Sequence, residues 1–219
     1  TVPPVAAQES FDLGEITISA NFNPIEKSRS GSSIEILDSG SLYSSSNLTM
    51  ADRIEQLPGL STTQSGPAGT VADLRIRGSR ERYTAVYMDG IKVNDMTVTS
   101  GQYGNFGSLG FGGLNRIEIL KGSQSALYGG SAVAGVVNLY SLPNDDALEG
   151  YSQTANIMLG SYDTLSTSYG LTQKTGPVTL SLGLSHLQSH GFSASEQNDG
   201  NSEADGMRET RTTFGATYQ

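Results

Sequence analysis

From residue 149 to the carboxy terminus apolar side chains fall on every second position, and this period-two pattern constrains the fold more than any other feature. Ala155, Ile157 and Leu159 share one face of a first segment, and Leu165, Tyr169 and Leu171 one face of a second. Val178, Leu180, Leu182 and Leu184 line a third, and Phe214, Ala216 and Tyr218 a fourth, while the opposite faces are Ser, Thr, Asn and Gly. Strands of ~9–11 residues with one apolar and one polar face are what a membrane barrel needs, with lipid outside and water within. A soluble sandwich produces the same alternation, so periodicity alone leaves both open. The connections read as a short turn at residues 173–177 and a long polar loop at 190–207, the asymmetry found in outer-membrane barrels.

Composition narrows the function classes. The chain of 219 residues carries Lys+Arg 13 against Asp+Glu 22, a formal charge of −9, with 36% hydrophobic residues. No apolar run approaches the ~18 residues of a transmembrane helix. The acidic balance opposes a nucleic-acid partner, whose phosphates attract a basic face. With no Cys there is no disulfide framework, thiolate zinc site or thiol nucleophile. Two histidines and scattered acids assemble no nucleophile with a base and an orienting group, so no enzyme is expected.

Along the amino-terminal part, Val5 and Ala7 have the spacing that a signal peptidase reads, so residues 1–13 are expected to be a flexible terminus with a signal remnant. An ordinary disordered tail is the alternative. Residues 14–20 alternate but are too few for a stable sheet element on their own. Such a segment suits addition to another protein's sheet edge, although periodicity alone favours pairing within its own domain. Residues 47–56 read as a short helix capped by Asn47 or Thr49 and stopped by Leu57-Pro58-Gly59. Strands are expected over residues 71–77, 83–88 and 116–120, with turns at Gly78-Ser79 and Asp89-Gly90. The Gly-rich stretch 101–113, interrupted by Tyr103, Phe106 and Phe111, lacks the Gly-Lys-Ser/Thr ending of a phosphate loop. So does the later series Gly122, Gly129, Gly130 and Gly135, and tight turns explain both.

Four segments then stand in a recognisable order behind Leu57-Pro58-Gly59. They are Leu74-Arg75-Ile76-Arg77-Gly78, Ala85-Val86-Tyr87-Met88-Asp89-Gly90-Ile91-Lys92-Val93-Asn94, Ile117-Glu118-Ile119-Leu120-Lys121-Gly122 and Ser125-Ala126-Leu127-Tyr128-Gly129. Together they resemble the plug domain of TonB-dependent outer-membrane receptors, over about residues 14–143, and are most similar to the cobalamin transporter branch. Ser123, Ala134 and Leu139-Tyr140-Ser141 depart from the usual pattern by packing-scale changes.

The resemblance implies an α+β plug domain, a small mixed sheet with short helices, followed by antiparallel strands of an incomplete transmembrane β-barrel. Its expected boundaries are residues 14–20 for a TonB box, 21–143 for the plug and 149–219 for the first barrel strands. Glu15, Ile16, Thr17, Ile18 and Ser19 would add as a strand to the periplasmic protein TonB. Arg77 and Lys121 fall where the family has basic residues facing two barrel glutamates, a lock that Lys121 makes weaker because lysine lacks arginine's planar fork. The glutamates are not identifiable from the sequence. Substrate would bind between the plug apices and the outer loops, with Gln64, Ser65 and Gly66 and with Gln102, Tyr103, Asn105 and Phe106 as candidate contacts, because both groups lie on loops with exposed polar or aromatic side chains. The loop 190–207 is then expected to face outward.

In that loop Asp199, Glu203 and Asp205 approximate the acidic residues that the cobalamin branch uses for calcium, the alternative being a solvated acidic surface. An EF-hand is ruled out, because its twelfth position counted from Asn201 is Thr212 in a predicted strand. His186 and His190, four apart on a strand, are roughly 13 Å apart, too far to share a metal. The expected activity is TonB-dependent uptake of cobalamin, a ferric siderophore or haem across the bacterial outer membrane, with TonB, the nutrient and outer-membrane lipid as partners. The rival is a secreted soluble β-rich surface-binding or adhesin module. A plugged barrel of 22 strands needs over ~400 residues beyond the plug, so these 219 residues are expected to be the amino-terminal portion of a receptor, unable to transport alone.

Overall fold

The structure is a computed structural model and describes residues 16–17, 25–43, 49–94, 106–107, 109–110, 112–141, 149–195 and 203–218. In chain order β1 (Ile16–Thr17) and β2 (Ile25–Glu26) pair with each other, and β3 (Ser33–Asp38) runs into α1 (Ser39–Tyr43). Next come α2 (Met50–Glu55) and the hairpin of β4 (Leu60–Gln64) with β5 (Ala72–Ile76). After these come β6 (Thr84–Met88), β7 (Ile91–Lys92), β8 (Arg116–Lys121), α3 (Ser125–Tyr128) and β9 (Gly135–Tyr140).

One five-stranded sheet, ordered β3-β8-β9-β6-β7, organises this half. All its pairs are antiparallel except β6–β9, which is parallel and therefore needs a long crossover. Ile117 and Ile119 of β8, Val137 and Leu139 of β9 and Val86 of β6 form the main core with Met50, Ile54, Leu60, Leu74 and Ile76. The opposite face holds two smaller clusters, Ile34 and Leu120 packed by Ile25 and Ile36, and Ala85, Ala132 and Val136 packed by Tyr87 and Tyr128. Every residue of β8 is consequently buried, which explains why it reads as alternating in sequence but carries charges on its covered second face.

Helix α2 is shorter than the expected 47–56, and Thr49 is its cap. The Thr49 hydroxyl accepts from the Asp52 amide at 3.3 Å, and the Asp52 carboxylate accepts from the Thr49 amide at 2.9 Å, a reciprocal capping box. Asn47 lies outside the described residues. The next two amides find loop carbonyls instead: Met50 donates to Leu109 at 2.8 Å and Ala51 to Phe106 at 3.3 Å.

Asp38 does the same work ahead of α1, accepting from the Ser41 amide at 2.8 Å and the Ser41 hydroxyl at 2.5 Å. These bonds hold its carboxyl below the ordinary value of 3.8. A depressed folded pKa means stabilisation that is present above the unfolded value and lost as pH falls through the folded one. Asp38→Ala is therefore expected to lower stability at pH 7 by about 1 kcal/mol. The gap to wild type should close in acid, as thermal midpoints across pH 2–7 will read.

The carboxy-terminal half is a meander of β10 (Gly150–Gly160), β11 (Thr164–Thr175), β12 (Val178–Ser189) and β13 (Met207–Tyr218), all antiparallel in continuous register. Tyr162 and Asp163, with φ 57° and 50°, form the tight turn between β10 and β11. That connection lies at the same end as the one between β12 and β13, so this end carries one short and one long connection. Gly176 and Pro177 turn the chain at the other end. The sheet does not close, and β10 and β13 are its edges. Its apolar face is bare: Ile157 is 76% exposed, Leu159 78%, Phe214 75% and Tyr218 81%. Its Ser, Thr and Gly face turns toward the five-stranded half, where Gly112 meets Ser185 and Gly113 meets Thr213.

Candidate functional site

Strand β1 lies against the second face of the five-stranded sheet. It pairs with β2 through Ile16 opposite Glu26 and Thr17 opposite Ile25, so it is engaged within its own chain, as periodicity alone favours. Glu15, Ile18 and Ser19 lie outside the described residues. Thr17 is completely buried, and its hydroxyl donates to Glu118 Oε2 at 2.8 Å. The other carboxylate oxygen accepts from Arg116 Nε and Nη2, both at 2.7 Å. In register beside Glu118 stand Asn138 and then Tyr87. Asn138 Nδ2 reaches the Tyr128 hydroxyl at 3.5 Å, and the Tyr87 hydroxyl donates to the Tyr128 carbonyl at 3.1 Å. Burial pushes the Tyr128 hydroxyl up; the Asn138 bond opposes this and the Glu118 charge adds to it.

The two predicted lock residues sit differently. Lys121 is buried, with Nζ 2.7 Å from Glu35 Oε1 and donating to the Pro58 carbonyl at 2.6 Å. Its charge is met inside the amino-terminal half by a glutamate on β3 that the sequence reading did not single out. Arg77 is exposed in a left-handed conformation, φ 51°, and its amide donates to the Gly59 carbonyl at 2.8 Å. Among the described residues its guanidinium makes no ion pair.

A seam joins the two halves. A Cβ on Gly112 would lie 1.9 Å from Ser185 Cβ, and one on Gly183 would lie 2.4 Å from Thr213 Oγ1 and 3.2 Å from Gly113 Cα. Bare backbone therefore lies directly on the polar wall of the meander. Beside it the Gly110 amide reaches Glu209 Oε2 at 3.5 Å, and Glu209 pairs with Arg211 at 2.5 Å.

At the long-loop end, Gln64 donates through Nε2 to the Pro67 carbonyl at 2.7 Å, tightening the turn that carries Ser65 and Gly66. Gly66 packs on Ala194, Gly69 on Met207 and Pro67 on Gly191, with the rings of Tyr162 and Phe192 tilted at 48° and their centroids 5.5 Å apart. Phe106, expected as an exposed contact, is 1% exposed and belongs to the main core, because the α2 amides draw its backbone inward. Gln102, Tyr103 and Asn105 lie outside the described residues, as does Asp199. Asp205 accepts from the Ala194 amide at 2.7 Å and Glu203 is exposed. No three acids or histidines gather around a metal site among the described residues. His186 bonds Thr210 at 2.8 Å and His190 stands 3.4 Å from Asp163, so the two histidines have separate partners.

The TonB-dependent Receptor Plug Domain family matches residues 26–136. The chain belongs to this family. It is 27% identical over 138 residues to the vitamin B12 transporter BtuB of Vibrio vulnificus (strain YJ016), a match that covers 63% of this chain and 22% of that one. Among solved structures it is similar to the copper transporter OprC, at 15% identity and a TM-score of 0.66 over 85% of this chain. It is also similar to the ferric yersiniabactin uptake receptor FyuA of Yersinia pestis, at 18% identity and a TM-score of 0.57 over 84%. The chain spans 28% of each of these receptors and 22% of the curated relative.

In this plug, then, β8 is the strand around which the charged residues gather. It carries Arg116 and Glu118 toward β1 and Lys121 toward Glu35. A buried strand with three ionisable groups is costly unless each is paired, and that cost is the signal in the sequence Arg116-Ile117-Glu118-Ile119-Leu120-Lys121 that points to partners elsewhere.

Proposed function

We propose that this chain supplies the plug and first barrel strands of an outer-membrane receptor that imports cobalamin, with ferric siderophore and haem as the next candidates, using force delivered by periplasmic TonB. The observation that carries the reading is the orientation of the meander. Its polar face receives the plug loop at Gly112 and Gly113, while Ile157, Leu159, Phe214 and Tyr218 are exposed on the other. A soluble sandwich would bury that apolar face against a second sheet. A barrel wall instead turns it to lipid, with the plug in the lumen. Cobalamin is placed first because the curated relative is a vitamin B12 transporter.

Residues 15–19 serve in this reading as the TonB box, offering a backbone edge to the partner's sheet. Ile16→Pro removes a ladder donor there. It is expected to leave cobalamin binding at the cell surface unchanged while energised uptake falls about tenfold or more, the effect of losing about 1.4 kcal/mol in the paired state. Unchanged uptake with intact binding would falsify the box assignment. Growth of a deletion strain on limiting cobalamin and on limiting iron separates the substrates. Failure on cobalamin alone supports the first choice.

A further inference from the structure

On the exposed face of the meander the border between apolar and polar side chains runs obliquely across the strands. Leu159, Leu165, Gln188 and Arg208 stand in one row of the register. On β10 and β11 that row is still apolar, but on β12 the last apolar residue of this face before it is Leu184, and on β13 it is Phe214. From β10 to β13 the border therefore shifts by the six positions between Arg208 and Phe214. Six residues are about 20 Å along the strands, over three strand spacings of about 14 Å in all. This slope is near the ~45° tilt of strands in a bilayer, so the oblique border is what one membrane surface leaves on tilted strands.

Beyond the border, at the end that carries the β12–β13 connection, this face holds both histidines of the chain and Arg208. Arg208 is opposite Gln188 in the register, between the positions of His186 and His190. It is exposed, and among the described residues its guanidinium makes no ion pair. His186 bonds Thr210 through Nδ1 at 2.8 Å, which leaves Nε2 for another partner. The nearby acids are turned aside: Asp163 stands 3.4 Å from His190 on its β11 side, away from Arg208, and Asp205 accepts from the Ala194 amide. In a chain of formal charge −9, this is a surface shaped for an anion.

Depth identifies the kind of anion. At a ~45° tilt, His186 lies about 5 Å beyond Leu184 along the membrane normal, and Arg208 about 14 Å beyond Phe214. A phospholipid headgroup layer is only ~5–8 Å deep, so anions that meet both residues must be carried on sugars. The geometry points to a binding surface for a phosphorylated, acidic glycolipid of the facing leaflet, with Arg208 as its main contact. Arginine presents paired planar donors to phosphate, and the imidazoles of His186 and His190 flank it. The inference rests on the barrel reading made under the proposed function. It adds a lipid partner and the residues that select it.

The test titrates the full receptor in dodecyl maltoside micelles with an acylated glucosamine disaccharide bisphosphate that bears two acidic sugars, and counts bound lipid by native mass spectrometry. Replacing Arg208, His186 and His190 together by Gln is expected to weaken binding about tenfold or more, the loss of one or two charge-assisted hydrogen bonds. Arg208→Gln alone, at an exposed position, should account for about threefold of this and stands in if the triple variant does not assemble. Arg82→Gln removes an exposed arginine of the plug and should leave binding unchanged. Wild-type affinity in the Arg208 variants overturns the site, as does equal weakening by Arg82→Gln, which would reflect net charge alone. Phosphatidylglycerol bound as tightly as the glycolipid overturns the choice of partner. Failure of the barrel reading shows separately, as a receptor that stays monomeric in buffer without detergent, and failure of the import reading as absent uptake with lipid binding intact.

Discussion

Glu118→Ala is expected to destabilise the plug by about 3–5 kcal/mol, the usual cost of removing one partner of a buried ion pair. Arg116, 9% exposed at its side chain, would lose the carboxylate that meets its guanidinium at 2.7 Å. Thr17 would lose the acceptor of its hydroxyl in a seat without solvent. The readout is the denaturant midpoint for proteolysis of the plug in the whole receptor. A control separates loss of charge pairing from loss of volume. Arg116→Met with Glu118→Leu removes both charges and keeps apolar bulk, so it should cost less than Glu118→Ala alone. If the double variant is as unstable as the single one, an orphaned charge is not the cause.

The second large effect is expected at Gly112. An alanine there puts its Cβ 1.9 Å from Ser185 Cβ and 2.5 Å from Ser185 Oγ, across the seam between plug and barrel wall. Overpacking of this kind costs typically about 1–3 kcal/mol. It falls on the docking of the plug, because the clash lies between the two halves and not within either. Gly112→Ala should therefore raise the protease sensitivity of the plug in assembled receptor. Ser185→Gly removes the obstructing side chain and leaves the backbone at 3.3 Å from the new Cβ, close enough to require only a small shift. Recovery of protection in the Gly112→Ala, Ser185→Gly pair is the decisive result. A pair as sensitive as Gly112→Ala alone would place the damage in the loop's own conformation.

The two sites differ in how far they can be read from residues alone. The glycines of 101–113 read as tight turns, but the surface that Gly110, Gly112 and Gly113 approach lies beyond residue 180 and has no local signal. By sequence, Phe106 is a candidate contact because it lies on a loop with exposed polar and aromatic groups. Its burial follows from α2, whose first amides take the Phe106 and Leu109 carbonyls and so pull the loop under the helix. Lys121 was legible as a special cation, but its partner Glu35 was not, because β3 lies beside β8 only through non-local pairing.

Local chemistry accounts for the elements themselves. Thr49 and Asp52 cap α2 over a span of three residues, Gly59 at φ 73° follows its end, and alternation in 149–219 becomes four long strands. Each of these depends on neighbours in sequence, so composition and spacing suffice to predict it. The parallel β6–β9 pair, the hydrogen bond between Thr17 and Glu118 and the glycine seam depend on the path of the chain. A period-two segment specifies that it has an apolar and a polar face. Only the plug loop, seated on the polar one, identifies which face turns toward the plug and which apolar residues are left exposed.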